Sequence, residues 1–237
     1  MKRAAAAAAA KGGPARAKRR KKSARVLSQE EVRGDAAFEG SLDSEGSEVS
    51  YNPAFADAKE TSRWLEGLRD GIAWEQGHVK LFGKQFPEPR LTCYYGDPGL
   101  AYKYTGRTVR PRPWAQCKTL EAVRRRVEAA TGERFNTVLC NRYRSGEDTV
   151  GWHADNESVY GPTPTIASVS LGVERDFDLR ESGTPQRKLR IRLQPGSLLV
   201  MRGNTQQRWQ HCLPRRKALQ GERVNLTFRQ IVQPLRA

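Results

Sequence analysis

The chain reads as an α+β protein that is mainly β, with a sandwich or barrel core and helices packed on its outside. Three observations carry this. Two stretches before Phe135 repeat apolar residues at helical spacing, the chain after Phe135 changes to short extended runs separated by Gly, Pro and polar turns, and the last of these runs alternates polar and apolar residues strictly. A repeat of about 3.6 residues marks a helix with one buried face, and a repeat of about two marks a half-buried strand. Many short strands after two helices assemble into packed sheets or a barrel. No internal repeat is visible.

The 237 residues have room for one substantial domain and a tail. Hydrophobic residues make up 37% and charged residues 29%, a low apolar content that points to a disordered part. No apolar run approaches the length of a membrane span, so a soluble protein with no membrane partner is expected. Cys93, Cys117, Cys140 and Cys212 show no Cys-x-x-Cys pairing, which points away from a zinc knuckle or a disulfide framework and towards a reducing compartment. The net charge of +16 is unevenly spread: residues 1 to 25 hold ten Lys and Arg and no acid, residues 26 to 62 hold two basic and nine acidic residues, and the remainder holds 30 basic and 17 acidic, or +13. The presumed folded part is basic by itself. A basic domain draws polyanions by releasing their counterions, which makes nucleic acid the leading partner class.

Residues 1 to 55 are expected to be a disordered tail, basic and then acidic, and residues 56 to 237 a single domain. Seven alanines precede the block Lys18-Arg19-Arg20-Lys21-Lys22, whose like charges repel one another and keep it unfolded. Such a cluster has the composition of a nuclear address, and an acid-free, Ala- and Arg-rich start also has that of an organelle transit segment. Five contiguous cations fit poorly on one face of an amphipathic helix, which favours the nucleus. Residues 26 to about 55, acidic and rich in Ser and Gly, are expected to be a linker without a core of its own.

Asp57 caps the first predicted helix, with Glu60 closing a capping box and Trp64, Leu65, Leu68 and Ile72 on its buried face. Trp74 to Phe82 predicts a hairpin turning at Gln76-Gly77, with Leu81-Phe82-Gly83-Lys84 on the outgoing side and Pro87 and Pro89 ending it. Tyr102-Lys103-Tyr104 sets two aromatics on one face of an extended stretch, suited either to stacking on bases or to filling a core. Leu120, Val123, Val127 and Ala130 predict a second helix, stopped by Gly132, with Arg124, Arg125 and Arg126 on its outer side. Strands are then expected over Phe135 to Tyr143, Ile166 to Leu171, Phe177 to Arg180, Leu189 to Leu193, Ser197 to Met201 and Arg223 to Ile231.

Three polar sets have strand period. His153 and Asp155 are one residue apart, so in an extended chain their side chains face one point; with His211 further on they form two imidazoles and a carboxylate, the donor set that holds Fe(II) and leaves coordination positions open. By itself a His-x-Asp is more often an ordinary surface pair. Arg223, Asn225, Thr227 and Arg229 share one face of the last strand, opposite Val224, Leu226 and Phe228. An exposed face of a half-buried strand has the same pattern, but two arginines with an amide and a hydroxyl between them also suit a small dianion. Asn141 and Tyr143 add an amide and a phenol in the same way.

Taken together, Asn141-x-Tyr143, His153-x-Asp155, His211 and Arg223-x-Asn225-x-x-x-Arg229 stand in the order found in AlkB-family Fe(II)/2-oxoglutarate dioxygenases, and the chain from about Trp64 to Val232 resembles that family. The resemblance implies a double-stranded β-helix, or jelly roll. It implies an iron held by His153, Asp155 and His211, a 2-oxoglutarate contacted by Asn141 and Tyr143 and gripped by Arg223, Asn225, Thr227 and Arg229, and O2 as oxidant. The activity implied is oxidative dealkylation of DNA bases such as 1-methyladenine and 3-methylcytosine, releasing formaldehyde, succinate and CO2, in DNA repair.

Within the family the chain is most similar to the branch that acts on duplex DNA. Leu81-Phe82-Gly83 stands where that branch probes the base stack, and Tyr102, Lys103 and Tyr104 stand where it lines the base pocket. A Phe wedge suits an enzyme that must extrude its base. After the metal Asp the branch has a second Asp, and here Asn156 stands instead, with Glu157 next to it as a substitute contact to the lesion. Gly203 to Trp209 is also similar to single-strand-preferring relatives. The alternatives are an RNA demethylase of the same chemistry and a non-catalytic damage-binding module; intact iron and clamp residues argue against the module. A monomer is expected.

Overall fold

The computed structural model describes residues 26–81, 83–104 and 107–232. The basic segment 1–25 and Phe82 lie outside the described residues, as do the side chains of Leu81, Tyr102, Lys103 and Tyr104. In chain order the elements are β1 (Phe38–Ser41), β2 (Ser47–Asn52), α1 (Ala58–Gly71), β3 (Glu75–Leu81), β4 (Lys84–Gly96), β5 (Tyr102–Tyr104), β6 (Arg107–Val109), β7 (Arg112–Pro113), α2 (Lys118–Thr131), β8 (Thr137–Tyr143), β9 (Val150–His153), β10 (Ile166–Gly172), β11 (Arg175–Glu181), β12 (Thr184–Leu193), β13 (Ser197–Gly203), α3 (Thr205–Arg208), β14 (Trp209–Leu213) and β15 (Arg223–Arg229).

The two helices form where their spacing predicts. Asp57 caps α1 by accepting from the Glu60 N–H at 2.8 Å, a contact worth about 1 kcal/mol. Thr61, Trp64 and Leu68 are its buried face, and Leu120, Val123 and Val127 are that of α2, which ends on Gly132 at a left-handed φ of 71°. Both faces pack on one core with Val138, Cys140, Val169, Leu171, Val224, Leu226 and Phe228 from the large sheet. Each fully buried Leu or Val there contributes roughly 1.5–3 kcal/mol relative to exposure.

Two sheets carry the molecule. The larger runs β1-β2-β13-β10-β15-β8-β4-β3 with β7 beside β4, and the smaller runs β12-β11-β14-β9. As the chain advances from β8 to β15 it alternates between the four strands β13-β10-β15-β8 and the four strands β12-β11-β14-β9, except at the β11–β12 hairpin within the smaller sheet, which is the eight-strand winding of a jelly roll. The expected fold class holds. One face of β15 lies on the helices, and the other, with Arg223, Asn225, Thr227 and Arg229, faces the space between the sheets.

Three expectations are corrected. Residues 26–55 are not a linker: β2 pairs with β13, and Leu27, Val32, Leu42, Val49 and Tyr51 are buried against Phe177, Leu179, Leu189 and Ile191. Only Val49 and Tyr51 in β2 alternate, too short a run to mark a strand against the acidic, Ser- and Gly-rich background, and the segment finds its core only against strands far away in sequence. The β3–β4 hairpin turns not at Gln76-Gly77 but beyond Leu81, which pairs with Lys84; Gln76 pairs with Leu91 inside the ladder. Gly83 has φ +79° there, in the left-handed region that glycine adopts without strain. Pro87 and Pro89 do not end the hairpin but lie within the long β4. Pro87 pairs with His78 in the stretch of β4 that precedes its pairing with β8 at Leu91, so one side of β4 is free of a ladder there and a missing N–H is tolerated.

Candidate active site

His153 and His211 lie directly across from each other on the antiparallel strands β9 and β14. Their rings are 4.3 Å apart at the centroids, edge to face. Asp155 lies past the end of β9, so only the first member of the pair is in a strand, yet the side chains converge as the spacing predicts. One ligand atom from each of His153, Asp155 and His211 falls within 4.8 Å of the others. Nδ1 of His153 faces the Gly151 carbonyl at 2.8 Å, a contact made by an N–H, which leaves Nε2 for a metal. Burial, then the neighbouring His153, holds the pKa of His211 down to about 3, so this ring is neutral, the form that binds a metal.

Asp155 is 5% exposed. Burial alone would raise its pKa; the Arg229 guanidinium, with smaller contributions from the two histidines, overcomes this and brings it to about 2. Nη2 of Arg229 is 2.7 Å from Oδ1 of Asp155. The backbone N–H of Asp155 donates to Oε1 of Gln206 at 2.9 Å. Phe177 stacks on His211 at 5.1 Å and shields it from the side. Two imidazoles and an ionised carboxylate whose Oδ1 is paired with Arg229 fit Fe(II) in an open triad.

The triad opens into a cavity of ≈ 580 Å³ between the sheets, shared by Asn141, Tyr143, Arg223, Asn225, Thr227 and Arg229. Arg223 is 2% exposed. Its Nη2 donates to Ser170 Oγ at 2.9 Å and its guanidinium lies 5.3 Å from the Tyr143 ring centre, while its Nε has no hydrogen-bond partner. Burial lowers its pKa to about 10, which still leaves it charged near neutrality. A buried guanidinium with an unpartnered N–H fits the far carboxylate of 2-oxoglutarate. Asn225 and Thr227 differ from the expected open contacts: the Asn225 amide donates to Ser168 Oγ at 2.8 Å and to the Val169 carbonyl at 3.0 Å, and the Thr227 hydroxyl donates to Asn225 Oδ1 at 3.0 Å. They hold the wall on which Arg223 and Arg229 stand.

Of the expected lesion contacts, Glu157 lines the cavity and Asn156 does not; Asn156 is exposed. Glu157 Oε2 is buried without a hydrogen-bond partner, and burial, then the charge of Asp155, raises its pKa. Tyr102, Lys103 and Tyr104 form a two-stranded ribbon with β6. The residues sequence reasoning missed are Glu88, Arg90 and Gln206. Arg90 donates from Nε to Asn141 Oδ1 at 3.0 Å and lies 2.9 Å from Glu88, both buried in the cavity wall. Glu88-x-Arg90 has strand period, but its flanking prolines read as a stop; nothing local marks Gln206.

The sequence pattern of the 2OG-Fe(II) oxygenase superfamily matches residues 48–229. "DNA oxidative demethylase ALKBH2" of Mus musculus is 42% identical over 81% of this chain and 83% of its own length, and that of Homo sapiens is 41% identical over 79% and 75%. "Alpha-ketoglutarate-dependent dioxygenase alkB homolog 3" of Homo sapiens is 38% identical over 87% of this chain and 73% of its own. The solved structure of OsALKBH1 superposes with a TM-score of 0.53 at 17% identity, covering 77% of this chain and 97% of that one, a likeness of fold.

Proposed function

This chain belongs to the 2OG-Fe(II) oxygenase superfamily, and from that premise we propose that it is an AlkB-type dioxygenase that removes small N-alkyl groups from DNA bases. What carries this is the convergence of His153, Asp155 and His211 with Arg223 in one cavity, beside relatives named as DNA oxidative demethylases. Fe(II), 2-oxoglutarate and O2, when bound, supply oxidation of the N-alkyl carbon, with succinate, CO2 and formaldehyde as products.

The chain's own residues bind, aim and shield. His153, Asp155 and His211 hold the iron, and Arg223, oriented by Ser170, takes the far carboxylate of 2-oxoglutarate. Arg229 keeps Asp155 ionised and aimed. Asn141, steadied by Arg90, and Tyr143 contact the same co-substrate. Phe177, Met201 and Leu213 line the cavity with apolar surface that excludes water. Glu157, whose buried Oε2 has no hydrogen-bond partner in the cavity wall, contacts the edge of an extruded base and takes the part of the absent second Asp, since Asn156 faces solvent.

Duplex DNA is the favoured substrate and a nuclear monomer the favoured state. The support is Leu81-Phe82-Gly83 at the β3–β4 connection, where the duplex branch probes the base stack, the +13 charge beyond residue 62 and the basic block at Lys18 to Lys22. No described helix is long and apolar enough to cross a membrane. The test is mass spectrometry of oligonucleotides carrying 1-methyladenine or 3-methylcytosine, as duplex DNA, single-stranded DNA and RNA, incubated with iron, 2-oxoglutarate and ascorbate. Loss of the methyl mass from DNA is expected. Loss from RNA alone would reassign the substrate, and no loss from any would leave a binding module.

A further inference from the structure

The segment that composition marks as a linker grips the part of the fold that carries the metal ligands. Between β1 and β2, Asp43 is 3% exposed, and its carboxylate accepts five hydrogen bonds. Three are local, from Glu45 N–H at 2.9 Å, Ser47 N–H at 3.1 Å and Ser47 Oγ at 2.7 Å. The other two come from the far end of the domain, Trp209 Nε1 at 2.9 Å and Arg208 Nε at 3.0 Å. Asn204 Nδ2 donates to the Glu45 carbonyl at 2.5 Å and Thr205 Oγ1 to the Glu48 carbonyl at 3.0 Å, so the same hairpin also holds the start of α3.

These anchors lead directly to two ligands. Trp209 is 1% exposed and lies two residues before His211 in β14, on the same strand face. Its indole is a donor only, so a buried Trp209 must be turned towards Asp43 to satisfy its N–H, and that sets the depth at which β14 presents His211. On α3, the buried Gln206 accepts the backbone N–H of Asp155. A shift of α3 or of Trp209 therefore moves Asp155 and His211 together.

We propose that Asp43 is a positioning residue for the metal centre, holding His211 through Trp209 and Asp155 through α3. It rests on the assignment of His153, Asp155 and His211 as metal ligands. The carboxylate has the charge this role needs. Burial alone would raise its pKa, but the hydrogen bonds from Ser47, Trp209 and Arg208 bring it to about 2, so it is ionised at any working pH.

The experiment titrates the full chain with Co(II), an iron surrogate with a visible ligand-field spectrum, beside a melting curve. Asp43→Asn and Trp209→Phe are each expected to weaken Co(II) binding about tenfold or more and to shift the spectrum, as loss of an outer-sphere support does. The double variant should lose little beyond Asp43→Asn alone, because the contact that Trp209→Phe removes is among those already lost. Val49→Ala, in the same hairpin and 2% exposed, should lower Tm without changing Co(II) affinity. Wild-type affinity and spectrum in a folded Asp43→Asn would overturn the proposal, as would an equal loss in Val49→Ala at matched Tm. If Asp43→Asn does not fold, Trp209→Phe carries the same test. Failure of the wild-type chain to bind Co(II) would instead overturn the ligand assignment beneath it.

Discussion

Arg229 and Asp155 form a buried ion pair, Nη2 to Oδ1 at 2.7 Å, that joins the clamp strand to the metal triad. Their side chains are 6% and 8% exposed, so neither charge has water to fall back on. Removing one partner of such a pair strands the other, which costs about 3–5 kcal/mol. Arg229→Met is expected to lose stability of that order in urea unfolding. A variant with the wild-type midpoint would show that the pair contributes nothing net.

Loss of a ligand from the triad breaks the open site on which oxygen activation depends. His153→Ala and Asp155→Ala are expected to release no formaldehyde above background and to lose the Co(II) spectrum, and a chelator should silence the wild type until Fe(II) is restored. Full turnover by either variant would remove the triad from the mechanism.

Asp43 gives the protein an acid limb. Its folded pKa of about 2 lies below the ordinary 3.8, so its stabilisation is complete above about pH 4 and is lost as pH falls towards 2. A shift of that size corresponds to roughly 2 kcal/mol. In Asp43→Asn the unfolding free energy should fall less steeply between pH 4 and pH 2 than in the wild type. Parallel curves for the two proteins would sink this assignment.

A wedge helps only where neighbouring base pairs must be kept apart, since unstacking a duplex step costs a few kcal/mol and a single strand has little stacking to break. Phe82→Ala is expected to lower the initial rate on methylated duplex DNA about tenfold or more, a deficit of about 1.4 kcal/mol, and to change the single-strand rate much less. Equal losses on both substrates at unchanged Tm would point to a general contact with the base instead.

Replacing Lys18 to Lys22 with alanines should redistribute a fluorescent fusion out of the nucleus while leaving the domain's activity intact. Unchanged nuclear accumulation, or mitochondrial import of the intact fusion, would refute a nuclear address in this block.

The residue sequence by itself determined whatever repeats locally. Helix α1 with its Asp57 cap, α2 with its Gly132 stop and the polar face of β15 follow from side chains a few positions apart, and His153 with Asp155 from a spacing of two. Only the tertiary structure decided what depends on partners distant in the chain. The apolar residues of 26–55 are too few to mark a core by themselves and are buried only in a cluster shared with strands distant in sequence; Glu88 and Arg90 show their role only when β4 pairs with β8 and brings Arg90 to Asn141; and Gln206 and Asp43 are unremarkable polar residues until the winding sets α3 beside the metal ligands. A strand period says which way a side chain points. It does not say which strand will stand opposite, because that choice is made by burial and hydrogen bonding summed over the whole fold.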